Sequence, residues 1–146
     1  MTGATGELGR VLVRTLAGAG ADLAIHYLNR SEGAASLRSE VEAVGRKACI
    51  VQADISDETQ VFGMRDQVRS ALGDPHIIVN NAVRQYQWTT ILEQPVADFE
   101  GQFGSTVIQN VLMAKAFAPA MIARKSGRII AINTECAMQC HPSQGA

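Results

Sequence analysis

Three glycines at positions 3, 6 and 9, in Thr2-Gly3-Ala4-Thr5-Gly6-Glu7-Leu8-Gly9, are the first residues whose type and spacing could do chemistry. One glycine permits a tight turn, another lets the backbone approach a pyrophosphate, and a third lets helix and strand pack closely. The helix that follows would aim its free N–H groups and the positive end of its dipole at the anion. The plainer alternative is a strand-to-helix turn. The motif should follow a strand, yet only Met1 and Thr2 precede Gly3, so either the spacing is accidental or a first strand is missing. Farther along, Cys136, Cys140 and His141 bring three soft donors together, as zinc sites do. No second cluster supplies a fourth ligand, and no metal is assigned.

These residues need elements to hold them. Glu7 to Ala19 carries Leu8, Val11, Leu12 and Leu16 at helical spacing, with Gly18 and Gly20 to end it. Leu23 to Tyr27 is a short apolar run and reads as a strand. Ser31 is placed to cap a helix running to about Val44, which Gly45 stops. Ala48 to Gln52 reads as the next strand, and Ser56 opens a charged helix ending near Gly73. His76 to Val79 is a third strand. Residues 84–98 read as a loop with one helical turn, and Phe99 to Arg124 as a long helix whose Met113, Phe117 and Met121 have ordinary core spacing. Arg128 to Ile132 is a fourth strand. Strands alternating with helices imply crossover units and a parallel sheet, and apolar runs without polar alternation imply strands covered on both faces. Right-handed crossovers then predict a single α/β domain over residues 1–146, a doubly wound parallel sheet of Rossmann type.

Composition narrows the function classes. The chain has 146 residues, 47% of them hydrophobic, and a formal net charge of -1. A near-neutral chain with scattered basic residues has no field to gather nucleic acid or anionic lipid. The longest apolar stretches read as too short to cross a bilayer, and no charged start with a long apolar run marks a secretory signal. Three cysteines make an odd count rather than a disulfide framework. The expectation is a cytoplasmic domain with free thiols, binding neither nucleic acid nor membrane.

Four further segments, in order after the glycine loop, carry a resemblance. They are His26-Tyr27-Leu28-Asn29-Arg30-Ser31, Ala53-Asp54-Ile55, Asn80-Asn81-Ala82, and Gly127-Arg128-Ile129-Ile130-Ala131-Ile132-Asn133-Thr134. Together they resemble the short-chain dehydrogenase/reductase family from Thr2 onward, nearest to members labelled 3-oxoacyl-carrier-protein reductases. The resemblance implies an oxidoreductase that transfers a hydride between a nicotinamide cofactor and a small carbonyl or alcohol substrate. The alternative is a dinucleotide-binding module without catalysis. Gly3, Gly6, Leu8 and Gly9 then match the pyrophosphate loop, with Glu7 where many members have glycine. Arg30 and Ser31 match the place where the adenosine ribose is read. No acid stands there before Glu32, and a guanidinium pairs with a 2′-phosphate, so NADP(H) is favoured over NAD(H). Asp54, followed by Ile55, matches the contact to adenine, and Asp54 also reads as a helix cap. Asn81 and Ala82 match the loop beside the riboses. Val83 replaces the usual glycine, and a branched side chain resists positive φ.

The resemblance also implies catalytic groups. Thr134 falls on the hydroxyl residue that polarises the carbonyl, and a strand-end threonine bonded to local backbone is the other reading. The family's helix asparagine is matched by Thr106, with Asn110 one turn along. The Tyr-x-x-x-Lys pair is absent, since neither Tyr27 nor Tyr86 has lysine four residues later. By the family's spacing the tyrosine would fall just past Ala146. The expectation is therefore an incomplete fold, lacking the first strand and a C-terminal part, poorly soluble and inactive by itself. The long helix often lies at a subunit interface in this family, which implies a homodimer or homotetramer of the whole protein. Arg84 to Gln94, with Tyr86 and Trp88, is the segment expected on the substrate side.

Overall fold

A computed structural model describes residues 1–134 and residue 143 of the chain. Helix α1 (Glu7–Gly18) leads to strand β1 (Leu23–Tyr27), then α2 (Ser31–Ala43), β2 (Ala48–Gln52), α3 (Glu58–Leu72) and β3 (Ile77–Asn80). A long helical rod follows. It consists of α4 (Val96–Phe103), one π-helical turn (Gly104–Ile108) and α5 (Gln109–Ala123), and it hands over to β4 (Arg128–Ala131).

Strands β1 and β2 pair in parallel, Leu23 opposite Ala48 through Tyr27 opposite Gln52. Strands β3 and β4 also pair in parallel, Ile77 opposite Arg128 through Asn80 opposite Ala131. The two ladders are joined by the first residues of the chain. His26 N–H donates to the Met1 carbonyl (3.2 Å), Ala4 N–H donates to the His26 carbonyl (3.0 Å), and Thr2 N–H donates to the Val79 carbonyl (2.9 Å). Met1 and Thr2 thus stand where the expected central strand belongs, bonded to β1 on one side and β3 on the other. The spatial order is β2, β1, Met1–Thr2, β3, β4.

Helices cover both faces, because alternate strand residues point to opposite sides. On one face Val13 and Ala17 of α1 and Ala34, Leu37 and Val41 of α2 bury against Leu23 and Ile25. On the other, Val61, Met64 and Val68 of α3 and Leu112, Met113, Ala116, Phe117 and Met121 of α5 bury against Val51 and Ile78. This is the doubly wound arrangement that the pattern predicts. Each fully buried aliphatic side chain contributes about 1.5–3 kcal/mol.

Several sequence expectations are corrected. Ser31 is not a cap: Arg30 takes the N-cap position of α2 without a side-chain bond, and Ser31 is the first helical residue. Helix α3 starts at Glu58 rather than Ser56, because the Asp57 carboxylate accepts from Gln60 N–H at 2.9 Å. Asp54 therefore does not cap that helix. The long helix begins at Val96, three residues before Phe99, with Pro95 at its N-cap, whose fixed φ of -59° suits the entry. The apolar stretches are also longer than read. The rod Val96–Ala123 has 28 residues and a window of mean hydropathy 1.3, enough by length and composition to cross a membrane. Here its α5 segment is a core helix, packed on α3 and β3.

Candidate functional site

In an open parallel sheet, ligands sit beyond the carboxyl ends of the strands, where the strand order reverses. In this chain that point is Gly3, at the end of the Met1–Thr2 segment between β1 and β3. Gly3 has φ +61°, a backbone state that side chains rarely adopt. A Cβ on Gly3 would also lie 2.7 Å from the Ala82 Cα. A Cβ on Gly9 would lie 2.8 Å from the Ala4 carbonyl oxygen and nearer still to that of Gly3. Two of the three glycines are thus demanded by backbone contact. Gly6 differs: it is the N-cap of α1 at φ -72° and ψ 169°, with no side chain capping the helix. Gly6 N–H donates to the Gly3 carbonyl (3.1 Å), and Arg10 Nε donates to the Thr5 carbonyl (3.1 Å), bracing the turn. The cradle leaves the amino end of α1 open, and Leu8 is 52% exposed beside it.

Three residues to which the motifs assigned no role hold this turn in place. The buried Thr2 hydroxyl accepts from Asn81 N–H (2.9 Å) and Ala82 N–H (3.0 Å), and donates to Gln109 Oε1 (2.5 Å). Gln109, buried in the rod, sends Nε2 to the Ala82 carbonyl (3.1 Å) and the Ser105 carbonyl (2.6 Å). The Asn81 amide returns to the carbonyls of Thr2 and Gly3, both at 3.1 Å. The third is His26, whose Nδ1 accepts from Gly3 N–H (3.0 Å) while Nε2 meets the Ala53 carbonyl (2.9 Å). Burial pushes its pKa down to about 4, against the raising effect of the bond to Ala53. It is therefore neutral near pH 7, with its proton on Nε2. The available signals were a polar residue inside the apolar strand Leu23–Tyr27 and a glutamine among the apolar residues of a core helix.

The structure brings Gly3 and Gly9 together with Asn81 and Ala82, as the motif spacing requires. Arg30 and Ser31 are exposed just past β1, and the next acid along the chain is Glu32 in the first turn of α2. Asp54 follows β2. Its Oδ1 accepts from Ser56 N–H (2.9 Å) and the Ser56 hydroxyl (2.6 Å), which folds the turn that buries Ile55. Val83 is not among the residues with positive φ, so the loop takes a path that a branched side chain permits. The loop after Ala82 is tied to the rod. Arg84 N–H donates to Ser105 Oγ (3.1 Å), Gln102 Nε2 donates to the Arg84 carbonyl, and the Arg84 side chain lies across Gly101. Tyr86 is half-buried and Trp88 is exposed on the same segment.

Asn110 and Thr106 play different parts. The Thr106 hydroxyl donates to the Gln102 carbonyl (2.6 Å). The Asn110 amide donates to the Thr106 carbonyl (2.5 Å) and accepts from Asn80 Nδ2 (2.7 Å). This exchange spans the π-turn. Thr134 lies just past β4, exposed, with its N–H on Asn133 Oδ1 (2.8 Å). Cys136, Cys140 and His141 lie outside the described residues. Among the described residues no three His, Cys, Asp or Glu side chains are grouped to hold a metal.

The sequence pattern of the short chain dehydrogenase family matches residues 1–146. A 3-oxoacyl-[acyl-carrier-protein] reductase from Synechocystis sp. is 27% identical over 144 residues, covering 99% of this chain and 58% of that protein. Among solved structures, a gluconate 5-dehydrogenase from Burkholderia cenocepacia in complex with NADP and tartrate superposes with a TM-score of 0.87 at 30% identity. That match covers 97% of this chain and 55% of the other. An NAD+-bound xylitol dehydrogenase superposes at 0.90 with 27% identity, covering 97% and 54%. The chain spans about half the length of the curated relatives it matches.

Proposed function

Given that this chain belongs to the short chain dehydrogenase family, we propose that it supplies the cofactor site of an NAD(P)-dependent oxidoreductase. The whole protein then moves a hydride between a nicotinamide cofactor and a small carbonyl or alcohol substrate. The observation that carries this reading is the glycine cradle. Gly3 and Gly9 cannot carry a side chain because the backbone closes on itself there, and the amino end of α1 has no side-chain cap. That is an anion seat, and its residues fit a dinucleotide pyrophosphate.

Each matched residue has a task within that reading. Gly3, Gly6, Leu8 and Gly9 surround the pyrophosphate. Asp54 and Ile55 receive the adenine, and Asn81 and Ala82 face the riboses. Arg30 and Ser31, exposed and without an acid before Glu32, suit a 2′-phosphate, so NADP(H) is favoured over NAD(H). The nicotinamide, when bound, supplies the hydride chemistry. Thr134 offers a hydroxyl at the end of β4 to polarise a substrate carbonyl. No tyrosine in the 146 residues has lysine four positions on, so no side chain here is assigned the proton transfer. The exposed side chains of Phe103, Val107 and Val111, one helical turn apart, support a homo-oligomer of the whole protein through the rod.

Calorimetric titration of the whole protein with NADPH and with NADH tests the cofactor reading. The expected result is binding of both, with NADPH tighter by about tenfold, the size of one charge-assisted bond to phosphate. No binding of either would overturn the cofactor assignment, and tighter NADH binding would overturn the role of Arg30.

A further inference from the structure

We propose that His26 is the positioning residue of the dinucleotide site: its imidazole clamps the glycine turn to the Ala53–Asp54 turn and so holds the pyrophosphate and adenine sides in one register. The inference rests on the cofactor reading above and adds to it a residue that touches no cofactor.

His26 uses every polar group it has on this task. Its main-chain N–H donates to the Met1 carbonyl, and its carbonyl accepts from Ala4 N–H. Nδ1 accepts from Gly3 N–H at 3.0 Å, and Nε2–H donates to the Ala53 carbonyl at 2.9 Å. The residue is 3% exposed, so solvent has little access to replace either partner. Without Nδ1, the N–H of Gly3 would be stranded at a residue held at φ +61°. The Gly3 carbonyl accepts from Gly6 N–H and from the Asn81 amide. A shift of Gly3 would therefore reach both the amino end of α1 and the Asn81–Ala82 turn. The far side of the ring acts on the other loop: Ala53 precedes Asp54, whose carboxylate orders the turn through Ser56.

The clamp needs one nitrogen as acceptor and the other as donor, which only the neutral ring supplies. Protonation would set an N–H against the N–H of Gly3. Two charged groups act on the ring. Burial opposes its protonation most strongly and the Met1 amino group adds to that, while the bond to Ala53 and the Asp54 carboxylate favour it. A leucine would fill the space and make neither bond. An asparagine offers an amide oxygen near the place of Nδ1, so it can keep the bond to Gly3 and lose the one to Ala53.

The test uses the whole protein that contains this chain, its His26→Leu and His26→Asn variants, and ADP-ribose as probe. Affinity is measured by calorimetry at pH 7, and the imidazole tautomer by nitrogen-detected NMR. The expected result is the Nε2–H tautomer in the parent and ADP-ribose binding weakened about tenfold or more in His26→Leu. His26→Asn should recover part of that loss, which a residue that merely fills space would not allow. If the parent binds ADP-ribose and His26→Leu binds it equally well, the clamp is refuted and the cofactor reading stands. The Nδ1–H tautomer refutes it equally. A parent that binds no ADP-ribose refutes the cofactor reading and the inference with it. Should His26→Leu fail to fold, His26→Asn decides: it keeps the bond to Gly3 and loses the one to Ala53, so affinity equal to the parent's would overturn the clamp between the two turns.

Discussion

Alanine substitution at each of the three loop glycines should give three different results, although the motif treats them alike. At Gly9 the new methyl would sit 2.8 Å from the Ala4 carbonyl oxygen and closer still to that of Gly3. Both obstacles are backbone, so no rotamer change relieves them. Overpacking of this kind costs about 3 kcal/mol or more. At Gly3 the methyl meets the Ala82 Cα at 2.7 Å, and φ +61° adds a left-handed penalty of about 1–2 kcal/mol. The Gly6 position has φ -72°, and its Cβ would lie 3.4 Å from the Gly3 oxygen, a tolerable contact. Replacing glycine by alanine at an N-cap costs about 0.5–1 kcal/mol, and the stiffer unfolded chain returns about 0.4–1 kcal/mol. Urea unfolding followed by far-ultraviolet circular dichroism reads the difference. With a slope of about 2 kcal/mol/M, Gly9→Ala should lower the midpoint by about 1.5 M, while Gly6→Ala should leave it nearly unchanged. A Gly9→Ala midpoint equal to the parent's, or equal losses at Gly6 and Gly9, would refute the close-approach argument.

Three other outcomes follow from the same structure. His26, whose pKa falls from the ordinary 6.5 to about 4 on folding, binds a proton more readily in the unfolded chain. Stability should therefore fall as pH drops from about 6.5 toward 4, by roughly 3 kcal/mol in all, and a His26→Leu variant should flatten that limb of a urea-midpoint profile against pH. Replacing Gln109 by leucine leaves the Thr2 hydroxyl and the Ala82 and Ser105 carbonyls short of a partner. A loss of about 3 kcal/mol is expected in thermal or urea unfolding, and a neutral result would mean that the buried network is not formed. Arg30→Ala should weaken NADPH by about tenfold in calorimetry and leave NADH unchanged, whereas equal losses would remove Arg30 from phosphate recognition.

The strands Leu23–Tyr27 and Ala48–Gln52 could be read to the residue because each is a short apolar run between punctuating segments. Helix starts were read less well. Which oxygen caps α3 depends on reach to Gln60 N–H, and Asp57 rather than Ser56 has it. The first three residues of α4, Val96 to Asp98, escaped the periodicity reading because this helix buries none of its own residues, leaving no apolar stripe to mark its start. The π-turn at Gly104–Ile108 adds no residue type of its own and leaves no mark in the sequence.

The spacing of Gly3, Gly6 and Gly9, the alternation of apolar runs with helical periods, and the absence of an acid between Asp22 and Glu32 are local properties. They suffice for the fold class, the location of the loop and the order of its motifs. The partners of those residues are not local. Thr2 meets Asn81 and Ala82 across 79 and 80 positions, and Gln109 across 107. Only packing both faces of the sheet brings such groups within bonding distance, and only then does burial make their pairing obligatory. That is why Gly3, set against Ala82, admits no side chain, whereas Gly9 is constrained by the carbonyls of its own turn, and why a histidine in an apolar strand becomes the link between the two sides of the site.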